Sequence, residues 1–126
     1  MDPAYQEIGT LFARLVIEEY GASGYYNCDT YNELDPRSSK AHYLANASQA
    51  VVTALRAADP KAIWVMQGWL FHSPFWNRHP TRTKSYLGGV ANDQMLILDL
   101  NSEAGTIAEA YDQYFGKPWI WNLLLN

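Results

Sequence analysis

A chain of 126 residues is ample for one compact domain but short for a closed eight-stranded parallel barrel, which takes roughly 250. With 48% apolar and 14% aromatic residues it holds the material of a core and does not read as disordered. A formal net charge of −4, with nine basic residues scattered along the chain, excludes an electrostatic binder of nucleic acid or of a membrane surface.

The single cysteine, Cys28, leaves no internal disulfide framework and no Cys-based zinc site. No run approaches the roughly 20 apolar residues that cross a bilayer. The opening Met1-Asp2-Pro3-Ala4-Tyr5 lacks the charged-then-apolar pattern of a secretory leader.

From Ala4 to Tyr20, Ile8, Leu11, Phe12, Leu15 and Val16 recur at helical spacing, so an amphipathic helix is predicted with Gly21 at its end. Tyr25 to Asp29 reads as a strand, and Asp29-Thr30-Tyr31-Asn32-Glu33 follows it. A polar loop through Pro36 and Ser39 leads to a second helix. Tyr43, Leu44, Ala47, Val51, Ala54 and Leu55 form its buried stripe, and Asp59-Pro60 enforces its stop. Asn46-Ala47-Ser48 satisfies the glycan-acceptor rule but lies inside this helix.

Ala62 to Met66 and Met95 to Leu100 are continuous apolar runs, the pattern of strands buried on both faces of a parallel sheet. Between them Gln67 to Asp93 is long and rich in aromatic, His, Asn and Gly residues, with one short helix near Thr83 to Leu87. Connections of that length are usually functional. A third helix is expected from Glu103 to Phe115, ending at Gly116, before a last strand from Trp119 to Leu125.

The order α, β, α, β, loop, β, α, β favours a parallel sheet with right-handed crossovers. No Gly-rich phosphate turn follows any strand, which removes the main signature of a nucleotide-binding open sheet. Polar or aromatic residues gather after the strands at Asp29 to Glu33, Gln67 to Trp69, Asp99 and Asn126, and in a barrel those ends share the active-site face. The last strand signal reaches Asn126 with no helix after it. The expected fold is therefore α/β: part of a (β/α)8 TIM-type barrel of alternating helices and parallel strands, incomplete, with residues 1–126 as one partial catalytic barrel domain.

A carboxylic acid directly after an asparagine at a strand's end is where a barrel glycosidase holds its proton donor. Glycosidic hydrolysis normally uses two carboxyl groups, about 5 to 5.5 Å apart in retaining enzymes. Glu33 suits the proton donor, and Asn32 suits a hydrogen bond to a sugar substituent beside the reaction centre. Asp29 suits a sugar hydroxyl or a neighbour that needs orienting. Plainer readings stand beside these: Asp29 as a turn opener, Glu33 as a solvated loop residue, Trp69 and Trp121 as core aromatics, Asp99 as a cap. His42, His72 and His79 lack a ligand pattern, so no metal is expected.

The stretch Tyr26-Asn27-Cys28-Asp29-Thr30-Tyr31-Asn32-Glu33 resembles the active-site segment of the α-N-acetylglucosaminidases (glycoside hydrolase family 89). Gln67-Gly68-Trp69-Leu70-Phe71, Leu96 to Leu100, and Pro118-Trp119-Ile120-Trp121 with Asn126 resemble later segments of the same catalytic barrel, in the same order. The resemblance implies a retaining hydrolase that removes terminal α-linked N-acetylglucosamine from glycans such as heparan sulfate, with no metal or organic cofactor. It implies Glu33 as general acid and base, and Asn32, Trp69, Trp121, Asp29 and Asn126 as substrate-binding residues. It further implies a glycan substrate and the remainder of a parent chain as partners, no nucleic acid, no membrane insertion, and a lysosomal or secreted location.

The family's nucleophilic glutamate follows a glycine-rich stretch that the resemblance sets beyond Asn126, so this chain alone is expected to be inactive. Two alternatives stay open. One is a non-catalytic remnant of a barrel glycosidase that binds carbohydrate or protein; the other is a different barrel glycosidase with an Asn-Glu donor.

Overall fold

The computed structural model describes residues 2–31 and 33–123. Helix α1 (Pro3–Tyr20) leads to strand β1 (Tyr25–Asn27), helix α2 (Ala41–Ala58), β2 (Ile63–Gln67), a 3-10 turn over Gly68–His72, and α3 (Pro80–Leu87). A second 3-10 turn over Asn92–Gln94 precedes β3 (Met95–Leu100), α4 (Ile107–Ala110), the single turn α5 (Asp112–Phe115) and β4 (Trp119–Asn122).

The four strands pair in chain order, β1-β2-β3-β4, and every pairing is parallel. An open doubly wound sheet reverses its strand order at a switch point. This one does not, and successive strands separated by helices make the wall of an incomplete barrel. Because the strands are parallel, all their C-terminal ends lie along one edge of the sheet, which in a barrel is the edge that carries chemistry.

Strand alternation divides the apolar residues between two faces. Trp64, Met66, Met95 and Ile97 are all but fully buried, and they join Leu44 and Val51 of α2, Tyr86 and Leu87 of α3, and Ile107 of α4 in one core. The opposite face, with Ile63, Val65, Leu96 and Leu98, is only half-buried, and Ile120 is exposed. The expectation of strands covered on both faces is therefore corrected: helices pack one face, and the face that would look into a barrel is not closed by these residues.

Helix α1 begins where Asp2 accepts a hydrogen bond from the Ala4 amide at 3.0 Å with Pro3 in the first turn, and it ends at Gly21, whose φ is 84°. Its packing departs from the sequence pattern. Phe12 is 69% exposed and Ile8, Leu11 and Leu15 are also exposed, while contact with α2 runs through Gly9, Thr10 and Ala13. Ile8, Phe12 and Val16 of the apolar stripe instead line an apolar groove of ≈ 610 Å³ beside β1, together with Tyr5, Tyr20 and Tyr25 among others. In α2 the expected stripe holds, with Leu44, Ala47, Val51 and Ala54 buried and Tyr43 and Leu55 partly so.

The helix expected from Glu103 to Phe115 is replaced by two single turns. Gly105 sits at φ 136°, and α4 starts only at Ile107. Asp99 supplies the reason. Its buried carboxylate accepts from the Ile107 amide at 3.0 Å, from the Ala108 amide at 3.2 Å and from the Tyr114 hydroxyl at 3.0 Å, so it fixes where the helix begins. Asp112, Gln113, Tyr114 and Phe115 then take positive φ values between 50° and 55°, a left-handed turn that brings Tyr114 into the core. L-residues resist that conformation by about 1–2 kcal/mol each, and the burial of Tyr114 beside Phe71 opposes the cost.

Asp99→Ala would leave two backbone amides and a phenol without their acceptor in a dry core. It is expected to lower the unfolding free energy by about 3 kcal/mol or more. Denaturant melts of the variant check this, and a loss below ~1 kcal/mol would mean that the carboxylate does not hold the α4 turn.

Candidate active site

The loop after β1 carries the densest set of polar residues at the C-terminal edge. Hydrogen bonds and a ring contact tie the loop to the core. The Trp64 indole N–H donates to the Cys28 carbonyl at 2.7 Å, which holds the chain as it leaves β1. Thr30 Oγ1 and the Tyr86 hydroxyl form a hydrogen bond at 2.5 Å, and burial pushes that phenol well above its ordinary range. Tyr31 stands in the left-handed region at φ 58° and sets its ring edge-on to Tyr86 with centroids 6.2 Å apart.

Beyond Tyr31 the loop opens into a groove of ≈ 1110 Å³ whose lining includes Tyr5, Asp29, Thr30, Tyr31, Glu33 and Tyr43. Asp29 and Glu33 are thus brought together in one cleft, and both are exposed. Partial desolvation in the groove pushes the Asp29 carboxyl up from the usual range. Asn32 lies outside the described residues, as does Asn126.

Trp69 follows β2 on the 3-10 turn. It is 39% exposed and meets His72 edge-on at 5.2 Å between ring centroids. Its position depends on Gly68, because a Cβ there would lie 2.8 Å from the Tyr114 hydroxyl oxygen and 2.9 Å from the Leu98 carbonyl oxygen. Trp121 is exposed and pairs with Asp99 in the β3–β4 register, so it shares the face of Ile97 and Trp119 rather than that of Leu98 and Ile120. Neither tryptophan is among the residues that line the groove of Glu33. Asp99 turns into the helix layer as a cap. Among the described residues no three His, Cys, Asp or Glu gather as a metal site, and no helix is long and apolar enough to cross a membrane.

Sequence reasoning missed Trp64 and Tyr86 as anchors of the loop. Trp64 lies in an apolar strand and Tyr86 in a short polar helix, and neither position signals a hydrogen bond to a segment far away in the chain.

A parallel barrel wall with a polar groove and carboxylates at its C-terminal edge is the arrangement of the barrel glycoside hydrolases. The comparisons with known proteins sharpen that class. The model of the Alpha-N-acetylglucosaminidase (NAGLU) tim-barrel domain matches residues 1–126. Human alpha-N-acetylglucosaminidase is 42% identical over 127 residues, covering 99% of this chain and 17% of the human protein. The chain belongs to the α-N-acetylglucosaminidase family. Among solved structures, a family 89 glycoside hydrolase from Clostridium perfringens in complex with PUGNAc superposes with a TM-score of 0.75 at 23% identity, over 98% of this chain and 13% of that one. The Clostridium perfringens enzyme in complex with its substrate GlcNAc-alpha-1,4-galactose gives 0.73 at 22% identity, with the same coverage. These structural likenesses show the fold. The chain spans about a sixth of the length of the curated human relative.

Because the Leu98 carbonyl cannot yield to a methyl group, Gly68→Ala is expected to displace the Trp69 turn and destabilise the chain by about 1–3 kcal/mol. Unfolding of Gly68→Ala beside the unsubstituted protein tests this; identical midpoints would show that the turn has room to spare.

Proposed function

We propose that this chain carries the general acid/base and part of the sugar-binding wall of a retaining α-N-acetylglucosaminidase. The observation that carries the reading is Glu33, exposed in a groove with Asp29 at the C-terminal end of β1, on a chain whose whole length belongs to the family. The substrate class is a glycan ending in α-linked N-acetylglucosamine, with heparan sulfate as one such glycan. Two relatives support it: the human one is an alpha-N-acetylglucosaminidase, and the Clostridium perfringens enzyme was solved with GlcNAc-alpha-1,4-galactose as its substrate.

In the first step the Glu33 carboxylic acid gives its proton to the glycosidic oxygen while a second carboxylate attacks the anomeric carbon. The carbon–oxygen bond to the leaving group breaks and a glycosyl ester forms. In the second step ionised Glu33 takes a proton from water, the water oxygen attacks the anomeric carbon, and the ester carboxylate departs with retention of configuration. The attacking carboxylate belongs to the parent polypeptide outside these residues, so the isolated chain is inactive in this reading.

Asn32 and Asn126 are proposed as hydrogen-bonding partners of the sugar, Asp29 as a partner for a sugar hydroxyl or for orienting a neighbour, and Trp69 as an apolar platform. Trp121, set by its pairing on the helix-side face, would reach a sugar only around the end of the sheet, and is proposed as a wall residue. No cofactor takes part, and the parent is a lysosomal or secreted hydrolase.

In the full-length enzyme, Glu33→Gln is expected to lower kcat/KM by about 10²- to 10⁴-fold on substrates with sugar leaving groups, which depend on protonation. The same variant should lose less than roughly tenfold on a dinitrophenyl glycoside, which departs unaided, so the leaving-group dependence identifies the acid. Equal effects on both substrates would remove Glu33 from that role. Trp69→Ala is expected to weaken binding of N-acetylglucosamine by about 1 kcal/mol while leaving the unfolding transition in place. Unchanged affinity by titration calorimetry would remove Trp69 from the sugar site, and a global loss of structure on melting would make it a core residue.

A further inference from the structure

Tyr86 is fully buried on α3, yet its hydroxyl reaches out of the core to a residue of the loop after β1. The residue it meets is Thr30, three positions before Glu33, and no other hydrogen bond holds the Thr30 side chain among the described residues. The Tyr86 ring is itself fixed on several sides. Trp64 and Trp76 pack against it with centroids 6.2 and 5.1 Å away, and the Ser48 hydroxyl donates to its backbone carbonyl at 2.5 Å. Ser48 in turn sits beside Gly89, where a Cβ would lie 2.1 Å from the Ala45 carbonyl oxygen, so α2 and the end of α3 are in direct backbone contact. The hydroxyl of Tyr86 therefore stands at a position set by the rigid helix layer and not by the loop it touches.

The loop needs such an anchor. Between the Cys28 carbonyl, held by Trp64, and Glu33, the chain passes through Tyr31 at φ 58°, a conformation that a bulky L-residue adopts only under tertiary restraint. The Thr30 bond and the ring contact of Tyr31 with Tyr86 restrain two consecutive residues at that bend. Release of the Thr30 bond would let the bend relax and would swing the exposed carboxyl of Glu33, which has no tie to the core of its own among the hydrogen bonds described.

We propose that Tyr86 is a positioning residue for Glu33: its buried hydroxyl, through Thr30, fixes the aim of the loop that presents the acid/base carboxyl to the glycosidic oxygen. This rests on the reading of Glu33 as the acid/base. It requires no contact between Tyr86 and the sugar. A misplacement of about 1 Å at a reacting group costs on the order of a hundredfold in rate, so a hydroxyl deep in the helix layer has leverage on the chemistry.

The test uses the full-length enzyme with Tyr86→Phe, which keeps the ring and its packing, and with Thr30→Val, which removes the same bond from the loop side. Each is expected to lower kcat/KM by about ten- to a hundredfold on a substrate with a sugar leaving group, but less than threefold on a dinitrophenyl glycoside, for which proton donation is dispensable. The double variant should be no slower than the slower single one, because both remove one bond. A structural role alone would lower both substrates equally, and that result overturns the proposal, as would unchanged rates or losses that multiply in the double variant. Glu33→Gln assayed in parallel separates the two levels. If it shows the leaving-group dependence and Tyr86→Phe does not, the positioning role fails and the acid/base reading stands; if Glu33→Gln lacks the dependence, both fall.

Discussion

Four strands paired in chain order, all parallel, impose the constraint from which the rest of the structure follows. The pairing sends every strand's C-terminal end to one edge, and the helical connections cover one face of the sheet. Trp64, Met66, Met95 and Ile97 close against α2 and α3, while Ile63, Val65, Leu96 and Leu98 form a half-covered opposite face. The exposed stripe of α1 and the apolar groove beside β1 belong to the same one-sidedness. A barrel wall taken by itself has this form, because the apolar surface that neighbouring strands would bury stays open.

The packed face also organises the polar edge. Trp64 and Tyr86 are core residues by burial, yet each spends its one polar atom on the loop that holds Asp29 and Glu33. Farther along the same helix-covered face, Asp99 and Tyr114 fix the α4 turn, and the Tyr114 hydroxyl crowds Gly68, where the Trp69 turn begins. Both anchors use the same physics. A buried phenol cannot leave its hydrogen bond unmade without a desolvation cost of about 1–3 kcal/mol, so its partner is held in place. The loop and the turn are thus positioned by the helix layer behind the sheet.

Much of this was legible in the residues. Helical spacing located α1 and α2, the apolar runs located β2 and β3, and the placing of polar residues after strands pointed to the C-terminal edge. The extents were less legible. The first strand is Tyr25–Asn27 rather than reaching Asp29, because Cys28 onward bends toward Tyr86 and Trp64. The helix expected from Glu103 failed because its sequence shows apolar period but not the capping demand of Asp99, and the left-handed turn at Asp112 to Phe115 carries no glycine to announce it. Of the site, the pairing of Asp29 with Glu33 in one groove follows from their shared loop. The anchoring by Tyr86 is a long-range contact between a polar helix and a bend, and local patterns hold no trace of it.

We propose Glu33 as the acid/base of a double displacement whose nucleophile lies elsewhere in the parent. Azide tests it most directly. In the full-length enzyme with Glu33→Ala, azide occupies the place of the lost carboxylate and attacks the glycosyl ester without needing a base. The account predicts faster turnover of a dinitrophenyl α-glycoside with rising azide, and a glycosyl azide product of α configuration, seen by NMR. A β-configured azide would mark Glu33 as the nucleophile, and no azide product at all would place the acid/base on another residue; either contradicts the account.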